Sequence, residues 1–355
     1  MDKVLFISGS YPPDKCAIGY YLSNFLKHLK DDIEVVLALP GRNRQLGYDF
    51  HHFPDELFGC IKEKNIRLIH WQLITQGFRY KVYFLKYFFL LKLKRGIRQV
   101  STIHDFSTLH FLNKIRLMIP ILLSDYVIVT NEIDYDIIKK FNKNISIIPI
   151  SSNIEMKKNI KILFDDKIIT LLFWGFPVKN RELDKILDAM FFLKKRGIKF
   201  KLRILPGFYN ISERDKNFYL KKISDLGLDD NIEITGFLNE DEMRDKLLSS
   251  DLALLFYSDG ITFRRTTFLG IAGAGIPYLV NFGTNTPAIL KSMINCSLVE
   301  PFNAEKIADK IIDFINNKDS FYKEYEKLNN FVIEKFSWQR IKEEHLKIYK
   351  KFLNI

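Results

Sequence analysis

Residues 258–277 read Ser-Asp-Gly-Ile-Thr-Phe-Arg-Arg-Thr-Thr-Phe-Leu-Gly-Ile-Ala-Gly-Ala-Gly-Ile-Pro. An apolar run at 252–257 precedes them and another begins at Tyr278, which predicts a buried strand, a turn, a helix and a second strand. Asp259 and Gly260 are turn residues, and Thr262 is the predicted N-cap of the helix. This order of elements is the repeating unit of a parallel α/β sheet.

Two arginines, Arg264 and Arg265, fall in the predicted first turn of that helix. The helix dipole disfavours cations there, and a sequence that breaks a local rule often does so for function. A bound anion resolves the conflict, because backbone N–H groups at a helix start and two guanidinium groups suit a diphosphate. The alternative is that both arginines lie on a solvated helix face and pair with carboxylates.

The rest of the chain continues the alternation of strands and helices, although the glycine-rich dinucleotide fingerprint is absent after the first strand. The further predicted strands lie at 4–8, 33–39, 66–70, 99–104, 126–130, 146–150, 168–174, 201–205 and 232–235. This pattern predicts parallel sheets covered by helices on both faces. A chain of 355 residues is expected to form two domains. They are predicted at 1–160 and 161–335, with 336–355 as a helix that packs back on the first domain.

The amino-acid composition restricts the classes of binding partner and the cellular compartment that we expect. The formal net charge of +12 predicts an anionic partner, such as nucleotide phosphate or anionic lipid. Nucleic acid ranks last, because zinc spacings and RNA-binding signatures are missing. The three cysteines are too far apart for a metal or redox motif, which fits a reducing compartment. With no signal-peptide pattern and no run long enough to span a membrane, we expect a cytoplasmic protein.

Several segments resemble the retaining family-4 glycosyltransferases of the GT-B fold, and the resemblance covers nearly the whole chain. These segments are Val-Leu-Phe-Ile-Ser-Gly-Ser-Tyr-Pro-Pro at 4–13, Ile18-Gly19 with Tyr21, Thr-Ile-His-Asp at 102–105, Asp-Tyr-Val-Ile-Val at 125–129, Phe-Trp-Gly at 173–175, Ile-Thr-Gly-Phe at 234–237, Gly-Ile-Pro at 275–277 and Phe-Ser-Trp at 336–338. Their order and spacing carry the resemblance. It implies two Rossmann-like, doubly wound domains with an interdomain cleft, the first for the acceptor and the second for the nucleotide-sugar donor.

The sequence departs from the family pattern at its most distinctive stretch. The family places glutamates at the positions that Thr262 and Gly270 occupy here, and it usually uses the second glutamate to hold the ribose. Arg264, Arg265 and Thr266 replace the usual glycine-rich segment between them. This variant looks like a subgroup of bacterial polysaccharide-assembly transferases.

The resemblance and the predicted fold together place a donor site. Ligands of open parallel sheets bind beyond the carboxyl ends of the strands. The predicted donor-binding residues are Gly19, Gly175, Lys179, Arg181, Thr262, Arg264, Arg265 and Thr266. Fixed cations there would offset the charge left on the diphosphate when the sugar–phosphate bond breaks, so no metal or other cofactor is expected. The alternatives are solvated loop charges for Lys179 and Arg181, a helix cap for Thr262 and a simple turn for Gly19.

His104 and Asp105 are the predicted catalytic residues, since His104 ends a predicted strand of the first domain and Asp105 follows it, so that His104 should project into the cleft. By the resemblance, His104 contacts the donor sugar or carries a proton near the reacting centre. Asp105 would orient His104 or bind an acceptor hydroxyl. The alternative for His104 is a structural histidine at a strand end. Retention of the anomeric configuration is expected by analogy with the family alone.

Residues 79–95 combine lysines and arginines with six aromatic residues. Such a pattern predicts a helix in a membrane interface, at the inner face of the cell membrane, with basic residues at the lipid headgroups. The alternative is a Rossmann helix whose apolar face is core and whose lysines are solvated. Membrane contact would suit a lipid-linked acceptor.

These observations together predict a glycosyltransferase. It would move a sugar from a nucleotide-diphosphate donor to a hydroxyl of a bacterial surface glycan, such as O-antigen, capsule or exopolysaccharide. One alternative is a nucleotide-sugar epimerase of the same fold. Another is a non-catalytic assembly subunit that binds sugar nucleotides.

Overall fold

The computed structural model describes residues 2–14, 16–40, 48–73, 83–158, 160, 168–208, 211–236 and 238–353. The chain divides into two compact units. Unit 1 comprises Met1–Ser151 together with Trp338–Ile355, and unit 2 comprises Ser152–Ser337. Each unit is built on its own parallel sheet.

In the described part of unit 1 the sheet has the strand order β3-β2-β1-β4-β5-β6-β7. The strands are β1 Lys3–Ser8, β2 Glu34–Leu39, β3 Asp49–His52, β4 Leu68–Leu73, β5 Arg98–Ile103, β6 Tyr126–Val129 and β7 Ile145–Ile147. Successive side chains of a strand point to opposite faces. Leu5 and Ile7 therefore join one apolar cluster, while Val4 and Phe6 join the other.

The helices of unit 1 cover both faces of this sheet. They are α1 Ala17–Leu29, α2 Leu57–Glu63, α3 Tyr83–Lys92, α4 Phe111–Leu123, α5 Glu132–Ile138 and, from the end of the chain, α13 Trp338–Tyr349. Helix α13 packs against α1, where Ile341 and Tyr349 share an apolar cluster with Phe25. The last segment of the chain thereby completes the core of unit 1.

The sheet of unit 2 has the order β10-β9-β8-β11-β12. Its strands are β8 Ile169–Trp174, β9 Phe200–Leu205, β10 Ile232–Ile234, β11 Leu252–Leu255 and β12 Tyr278–Val280. Its helices are α6 Leu183–Lys195, α7 Glu213–Asp225, α8 Glu240–Leu248, α9 Thr266–Gly273, α10 Ala288–Met293, α11 Ala304–Asn316 and α12 Lys318–Phe336. Asn239 caps α8 in a capping box with Glu242.

Both sheets show the doubly wound order, which reverses between β1 and β4 in unit 1 and between β8 and β11 in unit 2. The predicted fold class, two Rossmann-like α/β domains, is confirmed. In such sheets the point of reversal opens a crevice beyond the strand ends, where ligands bind. Among the described residues, no helix is long and apolar enough to cross a membrane.

One local prediction in the opening stretch is wrong. Helix α9 begins at Thr266 with Arg265 as its N-cap, so Thr262 does not cap it and the two arginines precede its first turn. Buried Thr262 instead accepts a hydrogen bond at Oγ1 from the backbone N–H of Arg264, at 3.3 Å. The segment between β11 and α9 is therefore longer than predicted, and Arg265 lies at the N-terminus of the helix.

Candidate functional site

The point of reversal in unit 2 brings together the segments that follow β8 and β11. Gly175 follows β8 and leads to a single turn of 3-10 helix at Lys179–Arg181. Tyr257 follows β11, and the chain then turns through Asp259 toward α9. Since β8 and β11 are paired neighbours, both segments leave the same edge of the sheet.

Two guanidinium groups lie over the ring of Tyr257. The Cζ atom of Arg181 is 4.7 Å from the ring centroid and that of Arg265 is 4.4 Å from it. Aromatic rings attract cations over their faces, and this partly offsets the repulsion between the two charges. The sequence analysis did not identify Tyr257, because it ends an apolar run that predicts only a core strand.

Arg181 is held by hydrogen bonds from its guanidinium group. Its Nη1 donates to Tyr257 Oη at 2.8 Å and to Thr267 Oγ1 at 3.2 Å, and its Nη2 donates to the carbonyl of Trp174. Burial is the main cause that lowers the pKa of Arg181, and the charge of Arg265 acts in the same direction. In the described part of the chain no carboxylate forms an ion pair with it. Arg181 is thus a partly buried cation held by the protein rather than a solvated loop charge.

Gly175 makes room for this side chain. A Cβ atom on Gly175 would lie 2.2 Å from Arg181 Nη2, and its φ of 129° lies in the region that favours glycine. Lys179, on the same segment, is exposed. The two predicted donor residues thus differ in their surroundings, since the guanidinium of Arg181 is held by hydrogen bonds within the protein and Lys179 is exposed.

Arg265 has one acidic partner. Its Nη2 is 2.5 Å from Asp259 Oδ1, and Asp259 Oδ2 also accepts a hydrogen bond from Asn285 Nδ2 at 3.0 Å. The Nε atoms of Arg181 and Arg265 are buried and have no hydrogen-bond partner in the described residues. Among Arg181, Arg265 and Asp259 the positive charge exceeds the negative by one. An anion at the start of α9 would balance it, and exposed Thr266 is the first residue of that helix.

Helix α9 carries small residues where it meets its neighbours. A Cβ atom on Gly270 would lie 2.5 Å from Ser152 Oγ and 2.8 Å from Trp174 Cζ3. This position, where the resembled family carries its second glutamate, therefore has no space for a longer side chain. Ser152 and Trp174 occupy the volume that a carboxylate side chain at this position would need.

Gly19 lies in the first turn of α1 in unit 1, rather than in a turn before the helix. A Cβ atom there would lie 3.1 Å from Ser10 Oγ and from the backbone of Tyr11. The glycine thus permits close approach between α1 and the loop after β1. Its predicted contact with phosphate stays a prediction.

His104 follows β5 and is almost fully buried. Its Nε2 lies 3.0 Å from Gln72 Oε1. Because a carbonyl oxygen only accepts hydrogen bonds, Nε2 is the donor and Nδ1 is left as the acceptor nitrogen. Burial lowers the pKa of His104 to about 4, against the opposing charges of Asp105 and Asp134. The imidazole is therefore neutral near pH 7.

Gln72 connects His104 to a buried polar network that includes the last helix. Gln72 Nε2 lies 3.4 Å from His70 Nε2, which also lies 2.7 Å from Thr102 Oγ1. His70 Nδ1 lies 2.5 Å from Tyr349 Oη on α13. The alternation of polar His70 and Gln72 within a buried strand is the sequence signal that could have identified Gln72.

Asp105 has an exposed side chain and a left-handed backbone, with φ of 53°. Asp134 holds the turn that follows it, because its carboxylate accepts hydrogen bonds from the backbone N–H groups of Phe106 and Ser107 at 2.9 and 2.7 Å. Non-glycine residues in this conformation are uncommon and are enriched at functional sites. Asp134 is a further residue that the sequence analysis missed.

Several solved structures resemble this chain along nearly its whole length. No curated protein matches the chain. A glycosyltransferase from Rickettsia africae is 15% identical, with a TM-score of 0.74 and coverage of 99% of this chain and 98% of that one. HepE from Anabaena, solved with UDP and glucose, is 12% identical with a TM-score of 0.71, covering 99% and 100%. The lipopolysaccharide outer core galactosyltransferase WaaB is 14% identical with a TM-score of 0.64, covering 98% and 99%.

At these identities the likeness shows the fold, which is that of GT-B glycosyltransferases. The family model that describes glycosyl transferases group 1 matches residues 153–335, which is more than half of the chain and includes both segments around Tyr257. The chain belongs to the glycosyl transferases group 1 family.

Proposed function

We propose that this protein is a retaining glycosyltransferase of the family-4 type. It transfers a sugar from a nucleotide-diphosphate donor to a hydroxyl of a bacterial surface glycan. The observation that carries the proposal is the pair of guanidinium groups over Tyr257 before the start of α9, of which only that of Arg265 pairs with a carboxylate, Asp259, in the described residues. HepE, which has the same fold, was solved with UDP-glucose.

The donor diphosphate would bind at the start of α9. Arg265, Arg264 and Thr266 stand there, and helix N-termini and guanidinium groups both favour phosphate. Lys179 would add a mobile charge. Arg181 is a positioning residue in this proposal. Its guanidinium N–H groups donate hydrogen bonds to Tyr257, Thr267 and the carbonyl of Trp174, and its positive charge would attract the diphosphate without direct contact.

The chemistry needs stabilisation of the leaving diphosphate. Fixed cations in a partly buried site interact more strongly with developing charge than they would in water. We therefore propose transfer without a metal. His104, neutral and oriented by Gln72, would offer its Nδ1 to a sugar hydroxyl or to a proton at the reacting centre, and Asp105 would bind an acceptor hydroxyl.

The acceptor is proposed to be a bacterial surface glycan that is built on a lipid. WaaB, with the same fold, is a lipopolysaccharide galactosyltransferase, and this supports that class of acceptor. Such an acceptor would place the reaction at the inner face of the cell membrane.

The proposal is tested with the double variant Arg264→Ala/Arg265→Ala. Calorimetric titration against a panel of nucleoside diphosphates should show at least about a tenfold loss of affinity, because each charged hydrogen bond contributes roughly 1.5–3 kcal/mol. Arg196→Ala, which removes an exposed cation paired with Asp309 on the same unit, is the control and should bind as the unchanged protein does. Unchanged nucleotide affinity in the double variant would refute the donor site.

Stereochemistry and activity need a separate measurement. The anomeric configuration of the transferred sugar, determined by nuclear magnetic resonance, should match that of the donor, and an inverted product would refute the retaining assignment. Interconversion of free nucleotide sugars would instead identify an epimerase. Tight nucleotide binding with neither transfer nor hydrolysis would identify a non-catalytic subunit.

A further inference from the structure

Helix α4 of unit 1 exposes a row of large apolar side chains. The exposed fraction of each side chain in this row lies between 40% and 69%. The row consists of Phe111, Leu112, Ile115, Ile119 and Leu122. Their spacing places them on one side of the helix. The other side carries Leu117 and Ile121, which are buried in the core. Helix α4 is thus apolar on both sides, whereas a surface helix normally presents polar residues to water.

Helix α3 packs beside α4 and extends this apolar area. Phe89 and Leu93 are 51% and 66% exposed. The aromatic residues Phe84 and Phe88 of the same helix are buried in the core. Residues 79–82 of the predicted membrane segment lie outside the described residues. Most of the exposed apolar area therefore comes from α4, a helix that was not among the predicted elements.

A basic groove adjoins the end of α3. It has a volume of about 1090 Å³, and its lining includes Phe58, Lys62, Arg67, Lys94 and Arg95. Four of these residues are cationic and none is acidic. The Nζ atom of Lys94 lies 4.6 Å from the centroid of the Phe58 ring.

The groove charges are not neutralised within the protein. As far as the described residues extend, none of Lys62, Arg67, Lys94 and Arg95 forms an ion pair with a carboxylate. The neighbouring Lys92 and Arg98 differ, because both pair with Asp125. Unpaired cations that share a concave surface attract anions.

The apolar and basic parts are continuous along the chain. Exposed Leu93 directly precedes Lys94 and Arg95 of the groove, and Phe89 lies one helical turn before Leu93. Apolar side chains beside unpaired cations match the two layers of a membrane surface, in which acyl chains lie beneath anionic headgroups. Neither a nucleic acid, which would call for polar contacts across the row on α4, nor a free anion accounts for the apolar part.

We propose that the exposed faces of α3 and α4, together with the basic groove, form a surface that docks on an anionic phospholipid bilayer. Lipid phosphates bind in the groove, and the side chains of Phe89, Leu93, Ile115, Ile119 and Leu122 enter the interface. This surface is built from residues of unit 1 and the start of α9 from residues of unit 2, so the two proposals rest on different residues. Failure of this proposal therefore leaves the proposed glycosyl transfer untouched, and the reverse also holds.

The test uses the full chain and vesicles of phosphatidylcholine with or without phosphatidylglycerol, separated by sedimentation. The groove variant is Lys62→Gln/Arg67→Gln/Lys94→Gln/Arg95→Gln. The face variant is Ile115→Ser/Ile119→Ser/Leu122→Ser. The charge control, Lys195→Gln/Lys201→Gln/Lys221→Gln/Lys323→Gln, removes the same charge from exposed positions of unit 2. All the substituted apolar residues are exposed, so thermal unfolding should be little changed.

The unchanged protein should bind anionic vesicles and lose binding as salt is added. The groove variant should bind roughly a hundredfold more weakly at low salt, since each cation near a membrane surface contributes severalfold. The face variant should bind the anionic vesicles about tenfold more weakly, and its binding should still decrease as salt is added. The charge control should bind as the unchanged protein does.

Three results would overturn the proposal. The first is absence of binding to anionic vesicles at low salt. The second is an equal loss in the charge control and the groove variant, which would show attraction by net charge alone. The third is a face variant that binds vesicles normally but changes from dimer to monomer in solution, which would identify α4 as a contact between copies of this chain.

Discussion

Gly270 shows how a single position can decide which chemistry a site offers. Its added Cβ would meet Ser152 Oγ and Trp174 at 2.5 and 2.8 Å, so Gly270→Ala should destabilise the protein by about 1–3 kcal/mol through overpacking. Gly59 in α2 is the matched control, since a Cβ there meets no atom within 4 Å. Gly59→Ala should be neutral or stabilise by up to about 1 kcal/mol.

Chemical denaturation of both glycine variants measures these differences. Gly270→Glu should be less stable still, and it should gain no nucleotide affinity, because Trp174 occupies the space. A Gly270→Glu variant that is stable and binds nucleoside diphosphates more tightly would show that the helix can move to admit a carboxylate.

Tyr257 contacts both guanidinium groups, through its ring and, for Arg181, through its hydroxyl. In Tyr257→Phe the ring would stay under both cations, while the hydrogen bonds to Arg181 and Thr267 at 2.8 and 2.7 Å would be lost. We expect nucleoside diphosphate affinity to fall about fivefold to tenfold, because such a bond contributes roughly 1 kcal/mol.

Tyr257→Leu should lose more affinity than Tyr257→Phe, since it also removes the ring. The control is Tyr219→Phe, which changes a phenol on α7 of the same unit. Calorimetric titration gives the comparison, and equal affinities in Tyr257→Phe and Tyr257→Leu would contradict a role for the aromatic face.

At the scale of elements, helix α13 is joined to the sheet of unit 1 through buried histidines. Burial lowers the pKa of His70, and it lowers those of His104 and His345 from 6.5 to about 4. The folded protein therefore holds all three neutral, while the unfolded chain takes up protons below its ordinary pKa. Stability is fully present above about pH 6.5 and is lost as the pH falls toward 4.

Each of these histidines adds up to roughly 1.4 kcal/mol of lost stability per pH unit within that window. Denaturation midpoints between pH 4 and 7.5 measure the slope. His345→Leu should flatten it by about a third, because it removes one of the three buried histidines. The variant loses the hydrogen bond between His345 Nδ1 and the carbonyl of Ile341, whereas Nε2 has no partner in the described residues. Gly59→Ala, which changes no titratable group, is the control and should leave the slope unchanged. An unaltered slope in His345→Leu would refute this account.

At the scale of the whole molecule, the two units differ in how the chain closes them. Unit 2 is one continuous segment, 152–337, with its own sheet and core. Unit 1 needs the end of the chain, because Ile341, Ile348 and Tyr349 are buried in its core. A fragment 152–337 should therefore unfold cooperatively and bind nucleoside diphosphates within about tenfold of the full chain, since the cluster around Tyr257 lies inside it.

A fragment 1–151 should lack cooperative unfolding and should recover it when 338–355 is joined by a flexible linker. Circular dichroism during thermal unfolding distinguishes these cases. Cooperative unfolding of 1–151 alone would show that α13 is an accessory rather than a part of the core.

Much of the architecture could be predicted from local patterns. The strands at 4–8 and 169–174 follow from short apolar runs, and Asn239 with Glu242 marks the start of α8. The predicted start of α9 was wrong. Thr262 is a good capping residue, but it is buried four residues before the helix begins, and local residue preferences do not predict such tertiary contacts. The apolar row on α4 was missed, because the segment is apolar on both sides and lacks the period of a surface helix.

The sequence by itself determined the two doubly wound sheets and the stretch that carries the candidate donor site, since alternating strands and helices, turn residues and paired arginines are local signals. Only the tertiary structure decided what those residues do. It placed Arg181 and Arg265 over Tyr257, separated partly buried Arg181 from exposed Lys179, and filled the space beside Gly270 with Trp174. These relations join residues far apart in the chain through β8 and β11, and no local pattern records which side chains meet when strands pair.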